Sequence, residues 1–255
     1  MFLTLQALGT QPRIQMVFGE WDIIGGREAR PHSRPYMAFV ETKMGPESTT
    51  ECGGFLVRED FVLTAAHCDE EGSGDAPTVV ILGAHDLNRK ERTQQEIQVR
   101  RKIPHEDFDR TTLENDIMLL QLELRAEWNN AVKPIRLPPA NFLLKPEATC
   151  SVAGWGRTGV HMVRPATKLQ EVTLKMADDK QCELFFDSVH GLHGEHQNEA
   201  GDTGGPLVCN GFAQSIVSYG KDSGLPSAVY TRMSAFIPWL RKKMGREVVQ
   251  PHSRE

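Results

Sequence analysis

Gly201-Asp202-Thr203-Gly204-Gly205-Pro206-Leu207-Val208-Cys209 is the stretch from which the rest of the 255-residue chain is read. An Asp and a hydroxyl residue stand among three glycines, and an apolar run ending in Cys follows. Glycine lets backbone approach a ligand closely and reach positive φ. A hydroxyl held in such a turn beside backbone N–H groups is the arrangement acyl transfer needs, a nucleophile next to an oxyanion hole. The hydroxyl is that of Thr203, where such chemistry more commonly places serine.

Outward from this turn, short apolar runs recur between Gly- and Pro-rich turns. Phe61-Val62-Leu63-Thr64, Thr78-Val79-Val80-Ile81-Leu82, Leu169 to Leu174 and Ser215 to Tyr219 all have strand length and composition. Ile117 to Leu122 is continuous enough to be buried on both faces. Many short strands of this kind predict an all-β sandwich or barrel architecture. A Pro-spotted link from Asn129 to Pro139 divides the strands into two sets. Ser234 can cap a final helix over 234–244, with Pro238 near its first turn and basic residues late, as the helix dipole favours.

The net charge of −5 gives no general attraction to nucleic acid. The basic run Arg100-Arg101-Lys102 reads as solvated charge. No stretch approaches the roughly 18 apolar residues of a membrane span. The five cysteines (52, 68, 150, 182 and 209) form no C-x-x-C pair, so their wide spacing points to disulfides in an oxidising compartment. The odd count leaves one over. Met1 to Leu8 is apolar but short, uncharged and interrupted by Gln6, an atypical leader.

Three further stretches join the opening one. Thr64-Ala65-Ala66-His67-Cys68 ends a strand with a His. Asn115-Asp116-Ile117-Met118-Leu119 begins one with an Asp. Ile23-Ile24-Gly25-Gly26 could be a freed amino terminus. Singly, such a His is usually structural and such an Asp usually a cap. Together, in the order His, Asp, hydroxyl, they resemble the chymotrypsin family of serine endopeptidases over about residues 23–244. Ile24 to Ala38 and Cys52 to Cys68 are similar to the immune-cell granule group (cathepsin G, mast-cell chymases, granzymes).

The resemblance implies two six-stranded antiparallel Greek-key barrels packed together, with a C-terminal helix. It divides the chain into a leader or propeptide (1–22), an N-terminal barrel (23–128), a C-terminal barrel (129–233), the helix (234–244) and a tail (245–255). It implies a catalytic set of His67, Asp116 and Thr203, with the N–H groups of Gly201 and Thr203 as oxyanion hole. Ser218, Tyr219 and Gly220 would pair with substrate backbone. The Ile23 ammonium would sit beside Asp202 after cleavage. The implied disulfides are Cys52–Cys68 and Cys150–Cys209. The family's third partner for Cys182 is missing, because Glu183 to Ala200 holds no cysteine and is shorter than in relatives.

Counting back from Thr203 puts Gln197 at the pocket floor, with Ala228 along its side. With no acid there, the implied preference is for an apolar or aromatic P1 residue. His190, His193 and His196 recur every three residues beside Asp187, Glu195 and Glu199. A polar surface loop is the favoured reading, and neither metal nor other cofactor is expected. Polypeptide substrates and protease inhibitors are the implied partners of a secreted or granule-stored monomer. The β-methyl of Thr203 keeps a second reading open, a catalytically impaired homologue acting as a secreted binding or host-defence protein.

Overall fold

The computed structural model describes residues 14–18, 26–45, 48–69, 76–158, 164–176, 203–219 and 228–245, with backbone alone at 14–18 and 228. Its strands are β1 (Ile14–Phe18), β2 (Arg27–Glu28), β3 (Met37–Lys43), β4 (Thr49–Arg58), β5 (Phe61–Thr64), β6 (Thr78–Leu82) and β7 (Gln95–Pro104). They continue with β8 (Met118–Leu122), β9 (Thr149–Gly154), β10 (Gln170–Met176), β11 (Pro206–Cys209), β12 (Phe212–Tyr219) and β13 (Ala228–Arg232). The all-β expectation holds, and among the described residues the strands form two antiparallel sets with one terminal α-helix.

The first set closes into a barrel in the order β3-β4-β5-β8-β7-β6. Closure leaves no exposed sheet edge. Met118, Leu119 and Leu120 of β8 are all buried, as a continuous apolar run requires. On β7 a register shift between Val99 and Arg101 breaks the alternation, which puts Arg100 and Arg101 both in solvent. Lys102 folds back to pair with Asp69 at 2.7 Å. Arg100 and Arg101 are thus solvated charge on a strand, and Lys102 is an ion-paired, largely buried one.

The second set is a seven-stranded sheet ordered β1-β13-β12-β11-β9-β10-β2, in which β1 also pairs with β10. Six of its strands therefore return on themselves, and β2 extends the neighbour list of β10. β11 and β12 are joined by Asn210 and Gly211, with φ of 53° and 77°. Positive φ at both central residues is what a tight hairpin turn demands, and Asn-Gly supplies it at least cost. Two strands cross the boundaries expected from sequence. β1 comes from within residues 1–22 and β2 from the stretch assigned to the first barrel, yet both pair with β10.

Disulfides join Cys52 to Cys68 and Cys150 to Cys209. Between the two sets, Phe39 of β3 meets the fully buried Trp155 edge-on at 5.9 Å, within a cluster that includes Met37, Ala153 and Leu169. The Trp155 indole N–H donates to the His85 carbonyl at 3.1 Å, so its polar end is satisfied.

The helix departs from its predicted start. A single 3-10 turn spans Met233–Ala235, and α1 runs Ile237–Met244 with Pro238 in its first turn. Ser234 is not its cap, because its hydroxyl donates to the Phe142 carbonyl at 2.7 Å. Phe236, Ile237, Leu240 and Met244 join the core of the first barrel, so the end of the chain closes over the half it did not come from. Arg58 of β4 donates to the Met244 carbonyl at 2.7 Å, satisfying the helix C-terminus. Trp239 donates to Glu106 at 2.7 Å, and Lys243 pairs with the same carboxylate. Truncating the buried anchor, Phe236→Ala, is expected to lower unfolding free energy by about 3–5 kcal/mol, measured by urea denaturation.

Candidate active site

β5 ends at Thr64, and Ala65 and Ala66, both buried, carry the chain into a 3-10 turn over Ala66–Cys68. Cys68, at its end, is tied to Cys52 of β4. The turn presents His67, whose side chain is 6% exposed.

Asp116 arrives from the other side. Asn115 takes a left-handed φ of 57°, which asparagine tolerates better than most residues. Its side-chain amide donates to the Asp107 carbonyl at 2.8 Å. That kink turns Asp116 inward, fully buried, just before β8.

A buried carboxylate is stable only if its oxygens are satisfied. Oδ1 of Asp116 accepts the His67 backbone N–H at 2.9 Å. Oδ2 lies 2.7 Å from His67 Nδ1 and accepts the Ser218 hydroxyl at 2.5 Å. A carboxylate can only accept, so Nδ1 carries the proton and Nε2 is left as the imidazole's acceptor. Burial raises the Asp116 pKa, but His67, Ser218 and the His67 amide outweigh it and hold the carboxyl below its ordinary range. Next along β12, burial and the Asp116 charge push the Tyr219 phenol up to about 12. Tyr219 therefore stays neutral beside the carboxylate.

Thr203 is buried at 5% exposure. Its carbonyl accepts the Gly53 N–H at 2.8 Å, which pins the turn to β4. Gly204 donates to the Val217 carbonyl and Val217 to the Gly205 carbonyl, each at 2.9 Å, which pins it to β12. Gly204 has φ +89°, and a Cβ there would lie 2.3 Å from Thr64 Oγ1 and 2.4 Å from the Gly53 carbonyl. The Thr203 hydroxyl lies 3.7 Å from Cys52 Sγ, and among the described residues no hydrogen bond joins it to His67.

The structure thus brings together His67, Asp116 and Ser218, and sets Thr203 against the disulfide at the end of the His67 turn. Sequence reading gave Ser218 a place in a substrate-pairing strand. Its side-chain bond to Asp116 was not legible, because nothing in Ser218-Tyr219-Gly220 points to a residue 102 positions earlier. Ala228 starts β13, where its backbone pairs with Val17. Ile23, Cys182, His190, His193, His196, Gln197, Gly201, Asp202 and Gly220 lie outside the described residues. Among the described residues no cluster of three or more His, Cys, Asp or Glu is placed to hold a metal ion, and no helix is long and apolar enough to cross a membrane.

Two outcomes follow from this geometry. A lowered carboxyl pKa contributes stability that is present above the ordinary value of 3.8 and lost as pH falls through the lower folded value. The melting-temperature gap between the parent and Asp116→Asn should therefore be wider at about pH 4.5 than at about pH 2 in calorimetry. Gly204→Ala should cost at least about 1 kcal/mol for its backbone and about 1–3 kcal/mol more for overpacking, read from chemical denaturation.

Comparison with known proteins agrees with the fold. The sequence profile of the family described as Trypsin matches residues 23–240. Mast cell protease 3 of Ovis aries is 52% identical over 230 residues, covering 87% of this chain and 89% of its own. Cathepsin G of Homo sapiens is 49% identical over 231 residues, 88% of each chain. The solved structure of GrC superposes with a TM-score of 0.77 at 43% identity, over 87% of this chain and 99% of that one. The chain belongs to the trypsin family of serine proteases.

Proposed function

We propose that the chain is an endopeptidase in which Thr203 attacks the peptide carbonyl. The reading rests on one observation, the buried array in which Asp116 accepts from both His67 Nδ1 and Ser218. With Nδ1 protonated, Nε2 of His67 takes the Thr203 hydroxyl proton as Oγ1 bonds to the carbonyl carbon. The oxyanion is held by the N–H groups of Gly201 and Thr203. His67 returns the proton to the leaving amine as the C–N bond breaks, leaving an ester on Thr203. Water, deprotonated by His67, then adds to the ester carbonyl, and His67 returns that proton to Thr203 Oγ1 as the C–Oγ1 bond breaks and the acid leaves. Asp116 orients the ring and offsets the imidazolium charge.

The peptidase unit in this reading is residues 23–244. Ser218, Tyr219 and Gly220 receive the substrate backbone as an added strand. Gln197 and Ala228 line the P1 pocket, which takes an apolar or aromatic side chain. Cleavage before Ile23 frees an ammonium that pairs with Asp202. Two disulfides and the likeness to a mast cell protease support storage in granules or secretion, with polypeptide substrates and protease inhibitors as partners.

A second reading, a homologue with little catalysis that serves as a binding or host-defence protein, is favoured by the placement of the Thr203 hydroxyl at the disulfide. Threonine's branched Cβ restricts χ1. A displacement of about 1 Å from attack geometry costs on the order of 100-fold in rate.

The full chain can be given a factor Xa site by Gly19→Ile, Trp21→Gly and Asp22→Arg, which leaves β1 intact and cuts before Ile23. Labelling of the cut protein by a fluorophosphonate is expected, slower than for Thr203→Ser by about 10- to 100-fold and lost in His67→Ala. Labelling of Thr203→Ser alone would favour the second reading. Labelling of neither would overturn the endopeptidase reading.

A further inference from the structure

We propose that residues 14–18 stay in the second barrel after the chain is cut before Ile23, so that the mature protein is two chains held together by the β1 ladder. The cut itself rests on the reading of Ile23 given above. The placement of β1 does not.

β1 has neighbours on both sides. Ile14, Gln15, Met16 and Val17 face Thr231, Tyr230, Val229 and Ala228 of β13. Val17 and Phe18 face Met176 and Lys175 of β10. Removing it would uncover two facing edges, each a row of unpaired N–H and C=O groups. Neither edge is peripheral. Val229 and Tyr230 of β13 are 1% exposed, and β13 leads directly into the 3-10 turn before α1. Leu174 and Met176 of β10 are buried in the cluster that contains the Cys150–Cys209 disulfide. A strand seated there is a part of the wall.

This strand lies outside the region that the family profile matches, which begins at Ile23. The barrel is therefore completed by a segment from before the matched unit. β2, just after the cut, pairs with the same strand β10, so both new ends remain anchored on one neighbour.

Chain length permits the cut without unzipping either strand. Phe18 faces Lys175 and Arg27 faces Glu171. Nine positions along the chain (18 to 27) thus connect sites four positions apart on β10 (175 to 171). The surplus of five residues is about 17 Å of extended chain. After the cut, Ile23 is four residue steps from the paired Arg27, a reach of about 14 Å of extended chain, so it can move by that order while Arg27 and Glu28 keep their pairing. Activation and retention of the leader are then compatible, and the leader is a structural subunit of the product.

Hydrogen exchange on the uncut, unaltered protein tests the strand without reference to any activity. Amides within 14–18 should be protected to the same degree as those of β13, and exchange at the rate of free chain would overturn the proposal. After cutting at the factor Xa site, residues 1–22 should co-elute with residues 23–255 in equimolar amount on gel filtration. They should separate only in concentrated guanidinium. Protein stripped of the peptide should melt lower and recover on adding synthetic 1–22, but not its Val17→Pro variant, because proline cannot serve a strand paired on both sides. Separation in native buffer with an unchanged melting temperature would also overturn the proposal. Retention without fluorophosphonate labelling would leave it standing while the endopeptidase reading fell.

Discussion

The Asp116 carboxylate is the constraint on which the rest of the molecule depends. It has no solvent contact, so its charge must be met by protein groups. Two come from His67 on the turn after β5, and the third is the Ser218 hydroxyl on β12. One buried anion thus ties a turn of the first barrel to a strand of the second. The angle between the barrels, the tautomer of His67 and the register of β12 cannot be changed independently of it. Removing one donor would leave a buried lone pair unsatisfied, a larger penalty than the net worth of an ordinary hydrogen bond.

The second tie is apolar and lies elsewhere on the interface. Trp155 and Phe39 pack edge to face, and the Trp155 N–H is anchored on the His85 carbonyl. Helix α1 adds a third, bringing chain from the second set onto the core of the first. One buried ionic array and two apolar contacts hold the halves in one arrangement. In the proposed reaction this is what preorganisation requires, because the base and the nucleophile stand on different barrels.

What was legible in the sequence is what short-range chemistry encodes. Strand runs, glycine turns, the His67 and Asp116 stretches and the final helix each carry their signal within about ten residues. The helix start was misjudged because Ser234 has the right side chain for a cap, but a distant carbonyl, that of Phe142, takes its proton first. β1 was not legible at all. Ile14-Gln15-Met16-Val17-Phe18 falls within the stretch assigned to a leader or propeptide, and its partners lie more than 150 positions away on β10 and β13. The described backbone gives the leader a seat in the same barrel that the stretch before Thr203 leads into.

The turn around Thr203 shows why a fold can be recognisable while its chemistry stays a separate question. Everything that shapes the turn acts through backbone: Gly53 N–H on the Thr203 carbonyl, the paired bonds between Gly204, Gly205 and Val217, and the positive φ of Gly204. None of these contacts distinguishes a threonine side chain from a serine. The contacts that shape the turn therefore leave the direction of the hydroxyl to χ1. In this structure it faces Cys52 Sγ. The branched Cβ of threonine restricts rotation at χ1, while the buried Asp116 and the imidazole it orients are held by contacts that do not involve the hydroxyl.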